Sequence, residues 1–168
     1  MLRLCCSLFA AFCLLLTACR PSPQYQQHYT IPSYKWAGGF QPVFTFDITD
    51  TAAAYQVFFT VRHTEDYPFR NIWLLMGQQS PGDTGMHTSR VELTLAEGSG
   101  QWRGRGMGEI IEQLVPLSTP NNPTFFTRKG RYTIRLTQDM RRDPLPEVMQ
   151  VGLRIEKLGM ASKAVAHH

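Results

Sequence analysis

The most informative absence in this sequence is that of cysteine, which stops early in the chain. The four cysteines are Cys5, Cys6, Cys13 and Cys19, and none occurs from residue 20 to residue 168. A domain formed by the later residues therefore has no disulfide, no thiolate nucleophile and no cysteine-ligated zinc. It must be held together by a hydrophobic core, and about 150 residues are enough to bury one as a single domain.

The sequence also lacks a second long apolar run and the common catalytic motifs. No segment after residue 19 approaches the ~20 apolar residues that a membrane-spanning helix needs. No H-E-x-x-H, G-x-S-x-G or P-loop motif is present. The glycines of 104–108 ("GRGMG") are more typical of a bend that lets strands approach each other than of a nucleotide-binding site. These absences predict a protein that is not an enzyme, with no cofactor, no metal and no small-molecule substrate.

The N-terminus carries an export signal that ends in a lipidation motif. Arg3 precedes the apolar run 4–16, which is too short to span a membrane. The segment 16–19 ("LTAC") resembles the lipobox of bacterial lipoproteins, in which a peptidase cuts before a cysteine whose thiol is diacylated. An ordinary secretory signal cut nearby is the alternative. We therefore predict a lipoprotein signal peptide over 1–18 and palmitate-type acylation of Cys19.

Acylation predicts a protein that is anchored to a membrane and does not span it, since two or three acyl chains give stable anchoring. Arg20 follows the cysteine, where some bacteria place an aspartate that retains lipoproteins in the inner membrane, and no acidic run follows. Both features favour the periplasmic face of the outer membrane. The residues 19–30, with Pro21, Pro23 and several glutamines, predict an extended, lipidated tether.

The rest of the chain predicts antiparallel β-strands. Six segments have the strand pattern, most of them with one apolar and one polar face, as in two sheets packed face to face: 43–50, 54–63, 72–76, 89–97, 131–138 and 149–157. We predict an all-β fold, a jelly-roll-like antiparallel β-sandwich in a single domain over 31–158. The segment 107–114 ("MGEIIEQL") is the one helical candidate, and 159–168 is predicted to be a flexible tail.

Three residues are candidates for contact with a partner protein. Trp73 and Trp102 are either core and rim aromatics or part of an exposed aromatic and arginine patch, because these residue types are enriched at binding hot spots. Arg141, at a strand exit, is predicted to contact a partner or to form a buried pair with Asp66. The chain is mildly basic, with a formal net charge of +4, so an anionic lipid or an acidic partner is possible beside ordinary solvated faces. Export excludes a nucleic-acid role.

The remaining polar clusters point to no reaction. Glu109 and Glu112 would share a face if 107–114 were helical, but a glycosidase pair also needs a cleft. His63 precedes Glu65 and Asp66, which predicts a solvated loop between strands.

Three blocks of sequence resemble the gliding motility-associated lipoprotein GldH family. They are 62–76 ("RHTEDYPFRNIWLLM"), 100–113 ("GQWRGRGMGEIIEQ") and 130–157, and the second contains Gly-x-Trp-x-Gly-x-Gly. Together with the lipobox, the resemblance covers nearly the whole mature chain. It implies a lipoprotein with a small β-rich domain, one of a set of envelope proteins needed for gliding and linked to type IX secretion. It implies no catalytic activity and no cofactor.

Two functions from different classes follow. The first is a non-enzymatic outer-membrane lipoprotein that acts as an accessory or docking component of a gliding-motility or type IX secretion-linked assembly, with envelope proteins as its partners. The second is a lipid-anchored carbohydrate-binding or hydrolytic β-sandwich. An exposed aromatic platform or paired carboxylates in a groove would favour the second, and a flat surface would favour the first.

Overall fold

Period-two alternation of apolar side chains produces strands along most of the chain. The computed structural model describes residues 23–158, apart from the side chain of Met107. The predicted signal peptide, Cys19 and the predicted tail over 159–168 lie outside these residues. A short 3-10 turn spans Pro32–Tyr34. The strands are β1 (Tyr25–Thr30), β2 (Lys35–Trp36), β3 (Val43–Ile48), β4 (Tyr55–Thr64), β5 (Asn71–Gln79), β6 (His87–Thr94), β7 (Arg105–Met107), β8 (Ile110–Pro116), β9 (Gly130–Gln138), β10 (Leu145–Pro146) and β11 (Val148–Lys157).

The strands form two antiparallel sheets that pack face to face. One sheet has the order β1-β11-β4-β8-β7 and the other β3-β9-β5-β6, while β2 and β10 form a separate short pair. When the short strands β2, β7 and β10 are left aside, the others divide between the sheets in the order of a jelly roll. The predicted antiparallel sandwich and its six predicted strands are confirmed.

The core lies between the inner faces of the sheets and is rich in aromatic side chains. The largest fully buried side chains include Trp36, Tyr55, Tyr132, Phe44 and Phe59. Tyrosines of β1 cover one open side of the sandwich, because their rings lie against phenylalanines of β3 with centroids 5.2 to 5.3 Å apart.

The tether was predicted over 19–30, but Tyr25–Thr30 form β1. This strand pairs with β11 from Tyr25↔Ile155 to Thr30↔Gln150. The segment mixes strand-favouring tyrosine and threonine with glutamine and histidine, and its pairing partner lies more than a hundred residues away. The sandwich therefore begins earlier in the chain than the composition indicated.

The helical candidate over 107–114 was also wrong, because this segment is a β-hairpin. Gly108 has a φ of +63° and opens the two-residue turn between β7 and β8. In β8 the side chains of Ile111, Gln113 and Val115 are buried and alternate with exposed ones. The helix that would have placed Glu109 and Glu112 on one face therefore does not form.

Candidate functional site

Trp73 lies on the outer face of the four-stranded sheet, since its neighbours Ile72 and Leu74 are buried in the core. The guanidinium carbon of Arg90 lies 4.0 Å from the centroid of the Trp73 ring, within the range of a cation–π interaction. Arg90 also forms an ion pair with Asp139. The backbone N–H of Trp73 donates to Met140 Sδ at 3.2 Å. We call Trp73, Arg90, Asp139 and Met140 the Trp73 cluster.

Arg141 directly follows this cluster in the chain and is exposed. Asp66 is exposed as well, so the predicted buried pair between the two residues does not form. Within residues 23–158 no ion pair involves Arg141. The structure thus brings Arg141 next to the Trp73 cluster through Met140, and its contact with a partner stays a prediction.

Trp102 is a rim aromatic that packs against the core beside His63 of β4. Its ring centroid lies 4.5 Å from that of His63 and 6.3 Å from that of Tyr67. Trp102 is partly buried against the core, and among the described residues its ring contacts are with His63 and Tyr67 and not with Trp73. Its role in partner contact stays a prediction.

His63 was expected in a solvated loop but is fully buried, with 0% exposure. The Thr64 carbonyl can only accept, so His63 Nδ1–H donates to it at 2.8 Å. The other ring nitrogen, Nε2, is buried and has no hydrogen-bond partner in the described part of the chain. Burial lowers the pKa of His63, which keeps the ring neutral. The alternate residues from Tyr55 to Val61 point into the core, and His63 is the next position in that series. This alternation was the feature of the sequence that could have predicted its burial.

A groove of about 950 Å³ crosses the outer face of the five-stranded sheet. Sequence reasoning missed it, because alternation shows that a face is solvated but not which residues meet across strands. The groove is lined by residues of β1, β4, β7, β8 and β11, by the segment before β7 and by Thr94 at the end of β6. Its lining includes Gln26, His28, Thr60, Arg62, Arg103, Arg105, Glu112, Leu114 and Arg154.

Four polar residues of the groove form a directed chain of hydrogen bonds. Arg154 Nη1 donates to Gln26 Oε1 at 3.0 Å, which turns the Gln26 amide nitrogen toward His28 Nε2 at 2.9 Å. His28 Nε2 must then accept, so Nδ1 carries the proton and donates to Thr60 Oγ1 at 3.1 Å. Desolvation is the main cause that lowers the pKa of His28, and this favours the neutral ring that the chain of bonds requires.

Gly152 of β11 makes this arrangement sterically feasible. A Cβ at Gly152 would collide with His28 Nδ1 and Thr60 Oγ1, and it would lie 2.6 Å from the backbone oxygen of Gln27. The hydrogen bond between His28 and Thr60 therefore passes directly over a residue without a side chain. Glycine is needed here for close approach of neighbouring groups.

Charged residues form a row across the groove at its β7 end. Arg62, Glu112 and Arg105 are direct cross-strand neighbours, since Arg62↔Glu112 and Arg105↔Glu112 are paired positions. Arg62 Nε lies 3.9 Å from Glu112 Oε2, too far for a hydrogen bond, and this nitrogen is buried with no partner in the described part of the chain. The row carries two guanidinium groups and one carboxylate.

The groove does not have the features that would indicate catalysis or an aromatic sugar platform. Glu112 is the one carboxylate in its lining, and no aromatic side chain lines it within residues 23–158. The pKa values of Asp50 and Asp83 are lowered, mainly by hydrogen bonds from Lys157 and from the Ser80 backbone, and neither residue lines the groove. Over the same residues, no group of three or more His, Cys, Asp and Glu side chains could hold a metal ion. No described helix has the length and apolar character to cross a membrane.

Comparison with solved structures gives distant likenesses, and the two described next do not support a functional argument. A carbohydrate-binding module specific for non-crystalline cellulose is 10% identical, with a TM-score of 0.46 over 80% of this chain and 73% of the module. The VP2 subviral particle of infectious bursal disease virus is 14% identical, with a TM-score of 0.31 over 89% of this chain and 37% of VP2.

Sequence comparison is more informative. The gliding motility lipoprotein GldH homolog of Christiangramia forsetii is 25% identical over 151 residues, which cover 86% of this chain and 90% of that protein. The gliding motility lipoprotein GldH of Flavobacterium johnsoniae is 26% identical over 152 residues, which cover 86% of this chain and 91% of that protein. The family model described as GldH lipoprotein matches residues 24–155, nearly the whole of the described sandwich. This chain therefore belongs to the GldH lipoprotein family.

Proposed function

We propose that this protein is a non-enzymatic lipoprotein of the outer membrane that docks other envelope proteins in an assembly for gliding motility and type IX secretion. The observation that carries the proposal is its family membership, since both curated relatives are named as gliding motility lipoproteins. The lipobox-like segment 16–19 supports an anchor at Cys19, and Arg20 with the absence of an acidic run supports the periplasmic face.

The chemistry of the groove supports docking over catalysis. Glycoside hydrolysis needs two carboxyl groups roughly 5 to 9.5 Å apart, and a single carboxylate, Glu112, lines the groove. Its neutral histidine, His28, is engaged on both ring nitrogens by Gln26 and Thr60. The lone pair of Nε2 accepts a hydrogen bond from the Gln26 amide, which is not a nucleophile, so in this arrangement His28 is not placed as a general base. Polar groups arranged in this way are suited to holding a partner.

Replacement of the predicted lipidated residue tests the anchor. Cys19→Ala should move the protein from the membrane fraction to the soluble fraction, and the mass of the wild-type N-terminal peptide should show the acyl chains. Separation of inner and outer membranes on a density gradient, followed by protease treatment of intact and permeabilised cells, tests the membrane and its face. Persistence of Cys19→Ala in the washed membrane fraction would contradict the anchor.

Capture of the native protein from detergent-solubilised outer membranes, followed by mass spectrometry, tests docking. We expect motility or secretion components with the wild type, and fewer of them with Arg141→Ala at an unchanged melting temperature. Arg142→Ala is the matched control, because Arg142 is also exposed and immediately adjacent. A wild-type protein that is recovered alone would contradict the docking role. Equal capture by both variants and the wild type would contradict contact through Arg141.

The groove itself is the observation that favours the second candidate, a lipid-anchored carbohydrate-binding or hydrolytic protein. Its hydrogen-bonding side chains could hold hydroxyl groups, although it has no aromatic lining in the described residues. Glycan arrays and hydrolase assays with the full chain test this candidate. We expect neither binding nor turnover. Saturable glycan binding that is lost in His28→Ala would favour the second candidate over the first.

A further inference from the structure

The strand β8 has an unpaired edge inside the groove. On one side it pairs with β4 along its whole length, from Phe58↔Pro116 to Thr64↔Ile110. On the other side β7 covers only Ile110 to Glu112. In the part of the chain that the structure describes, no strand pairs with 113–116 on that side.

Hydrogen bonds just beyond the two ends of β8 show which backbone groups face this edge. Leu117 N–H donates to the Val57 oxygen at 2.8 Å, and Glu65 N–H donates to the Glu109 oxygen at 2.9 Å. Backbone groups alternate in direction along an antiparallel ladder. The odd-numbered residues of β8 therefore bond to β4, and the even-numbered ones face away from it. Leu114 accordingly directs both its N–H and its C=O toward the unpaired edge.

The edge is unpaired because the chain before β7 turns toward the other sheet. Arg105 pairs with Glu112, so the same register would place Arg103 opposite Leu114. Arg103 instead donates its N–H to the Leu95 oxygen at 2.9 Å. Gly104 lies at the point of departure, where a Cβ would be 2.6 Å from the Glu112 backbone oxygen. No segment of the described chain therefore pairs with Leu114 on this side, where a further strand could lie.

The side chains around this open place give it a positive character. Glu112 is the one carboxylate in the groove lining, and Leu114 is an apolar side chain that is 44% exposed at the edge. Arg105 has no ion pair within residues 23–158. Four arginines line the groove: Arg62, Arg103, Arg105 and Arg154. Arg62 pairs with Glu112, Arg103 with Glu97 and Arg154 with Glu156, so Arg105 carries the unpaired charge among them. An occupant with carboxylates would complement this charge.

From these contacts we propose that an extended, acidic segment of a partner protein adds to the five-stranded sheet at the unpaired edge of β8. Its backbone accepts the Leu114 N–H and donates to the Leu114 C=O, as in strand addition to a sheet edge, and a carboxylate of the segment pairs with Arg105. The segment 159–168 of this chain contains no aspartate or glutamate, so its charge does not fit the site. The inference rests on the docking function proposed above and adds the place and chemistry of docking.

A synthetic peptide tests the chemistry of the occupant. The probe is a fluorescein-labelled octapeptide that alternates glutamate and valine, titrated against the full chain in detergent and followed by fluorescence anisotropy. We expect saturable binding that weakens as salt is added. A peptide with lysine in place of glutamate should not bind. A glutamate peptide that is N-methylated on alternate residues, prepared in both phases, should bind about tenfold more weakly in the phase that faces β8.

Protein variants test the place of binding. Leu114→Pro removes the outward N–H without removing a bond to β4, and Pro116 already occupies the same phase of this strand. Leu114→Ala keeps the N–H and controls for the lost side chain. Arg105→Glu should weaken binding about tenfold, whereas Arg135→Glu, an equal charge change on the other sheet, should leave it unchanged.

The outcomes separate this inference from the docking function. Absence of binding by the glutamate peptide, or equal binding of the lysine peptide, would overturn the proposal. Equal binding of both N-methylated forms would overturn pairing at the strand edge, as would an unaltered affinity in a folded Leu114→Pro. If Leu114→Pro does not fold, Arg105→Glu and the methylated peptides still decide. Membrane capture with Arg105→Glu that equals the wild type would leave the docking function standing and remove the edge from it.

Discussion

The outer faces of the two sheets differ in how completely their polar groups are satisfied. On the four-stranded sheet, Arg90 lies over Trp73 and pairs with Asp139, so the charge and the ring already have partners. On the five-stranded sheet, the ladder between β7 and β8 ends at Glu112, so the outward backbone groups of Leu114 have no strand partner in the described residues, and the buried Arg62 Nε has no hydrogen-bond partner there either. The Trp73 cluster is satisfied within the chain, whereas the outer face of the five-stranded sheet has unused hydrogen-bonding capacity at Leu114.

Residue type and unsatisfied structure thus point to different faces of this molecule as the docking surface. Tryptophan and arginine are enriched at hot spots, and for this reason the sequence pointed to Trp73. In the fold Trp73 and Arg90 contact each other, and contact of Trp73 with a partner stays a prediction. A strand edge without a partner can be paired only by an extended segment in register with it. Arg105 beside the edge favours a segment that carries a carboxylate.

The largest expected effect comes from closing the space over Gly152. Gly152→Ala should lower the free energy of unfolding by about 1 to 3 kcal/mol, because the new Cβ would overlap His28, Thr60 and the Gln27 backbone. Urea denaturation of the purified chain measures the change. Gly39→Ala is the control, since no atom lies within 4 Å of a Cβ at that position. Equal stability of both variants would show that the contacts over Gly152 relax without cost.

Acidification should destabilise the fold through its two desolvated histidines. The pKa values of His63 and His28 are lowered in the folded state, so the unfolded chain binds more protons than the folded one as the pH falls below about 6.5. Stability is therefore full above the unfolded pKa and decreases as the pH drops through this range. Each histidine can contribute a slope of at most about 1.4 kcal/mol per pH unit.

The variant His63→Phe separates the contribution of the core histidine, His63, to the pH dependence of stability from that of the groove histidine, His28. We expect a shallower dependence of the urea midpoint on pH between 7.5 and 5.5, because phenylalanine keeps the packing against Trp102 and cannot be protonated. His87→Ala is the control, since His87 is exposed on β6. A slope in His63→Phe that equals that of the wild type would assign the whole pH dependence to other groups.

A smaller effect is expected from the cation–π pair of Arg90 and Trp73 on the four-stranded sheet. A double-mutant cycle with Trp73→Leu and Arg90→Met should give a coupling free energy of about 0.5 to 1 kcal/mol, as is usual for such pairs at exposed sites. Binding of the glutamate peptide should not change in either variant. A loss of peptide binding in Trp73→Leu would move the docking site to this face and remove the contrast between the sheets.

The sequence predicted those features that depend on local alternation. Six strands and the sandwich followed from period two, and the same period continued to His63, where the polar neighbours Glu65 and Asp66 obscured it. In 107–114 the pattern around Ile110 and Ile111 fitted a helix as well as a strand, and only the Gly108 turn decides between them. The groove could not be predicted, because it depends on the register of distant strands.

The same limit explains why the functional surfaces were harder to predict than the fold. The requirement for Gly152 exists only because β1 and β4 flank β11 and bring His28 and Thr60 together over it. The unpaired edge at Leu114 exists only because Arg103 bonds to Leu95 in the other direction. Neither relation leaves a periodic signal in the residues concerned.

The smallest expected effect on stability is that of Arg141→Ala, which should change the free energy of unfolding by less than about 0.5 kcal/mol. Its loop is held by neighbours, since Met140 N–H donates to Gln138 Oε1 at 2.9 Å and Gly38 N–H donates to Asp143 Oδ1 at 2.9 Å. The guanidinium group is therefore not needed to shape the loop. Urea denaturation beside Arg142→Ala checks this. A substantially larger loss would assign Arg141 to the fold, and reduced capture by Arg141→Ala would then report misfolding instead of a lost contact.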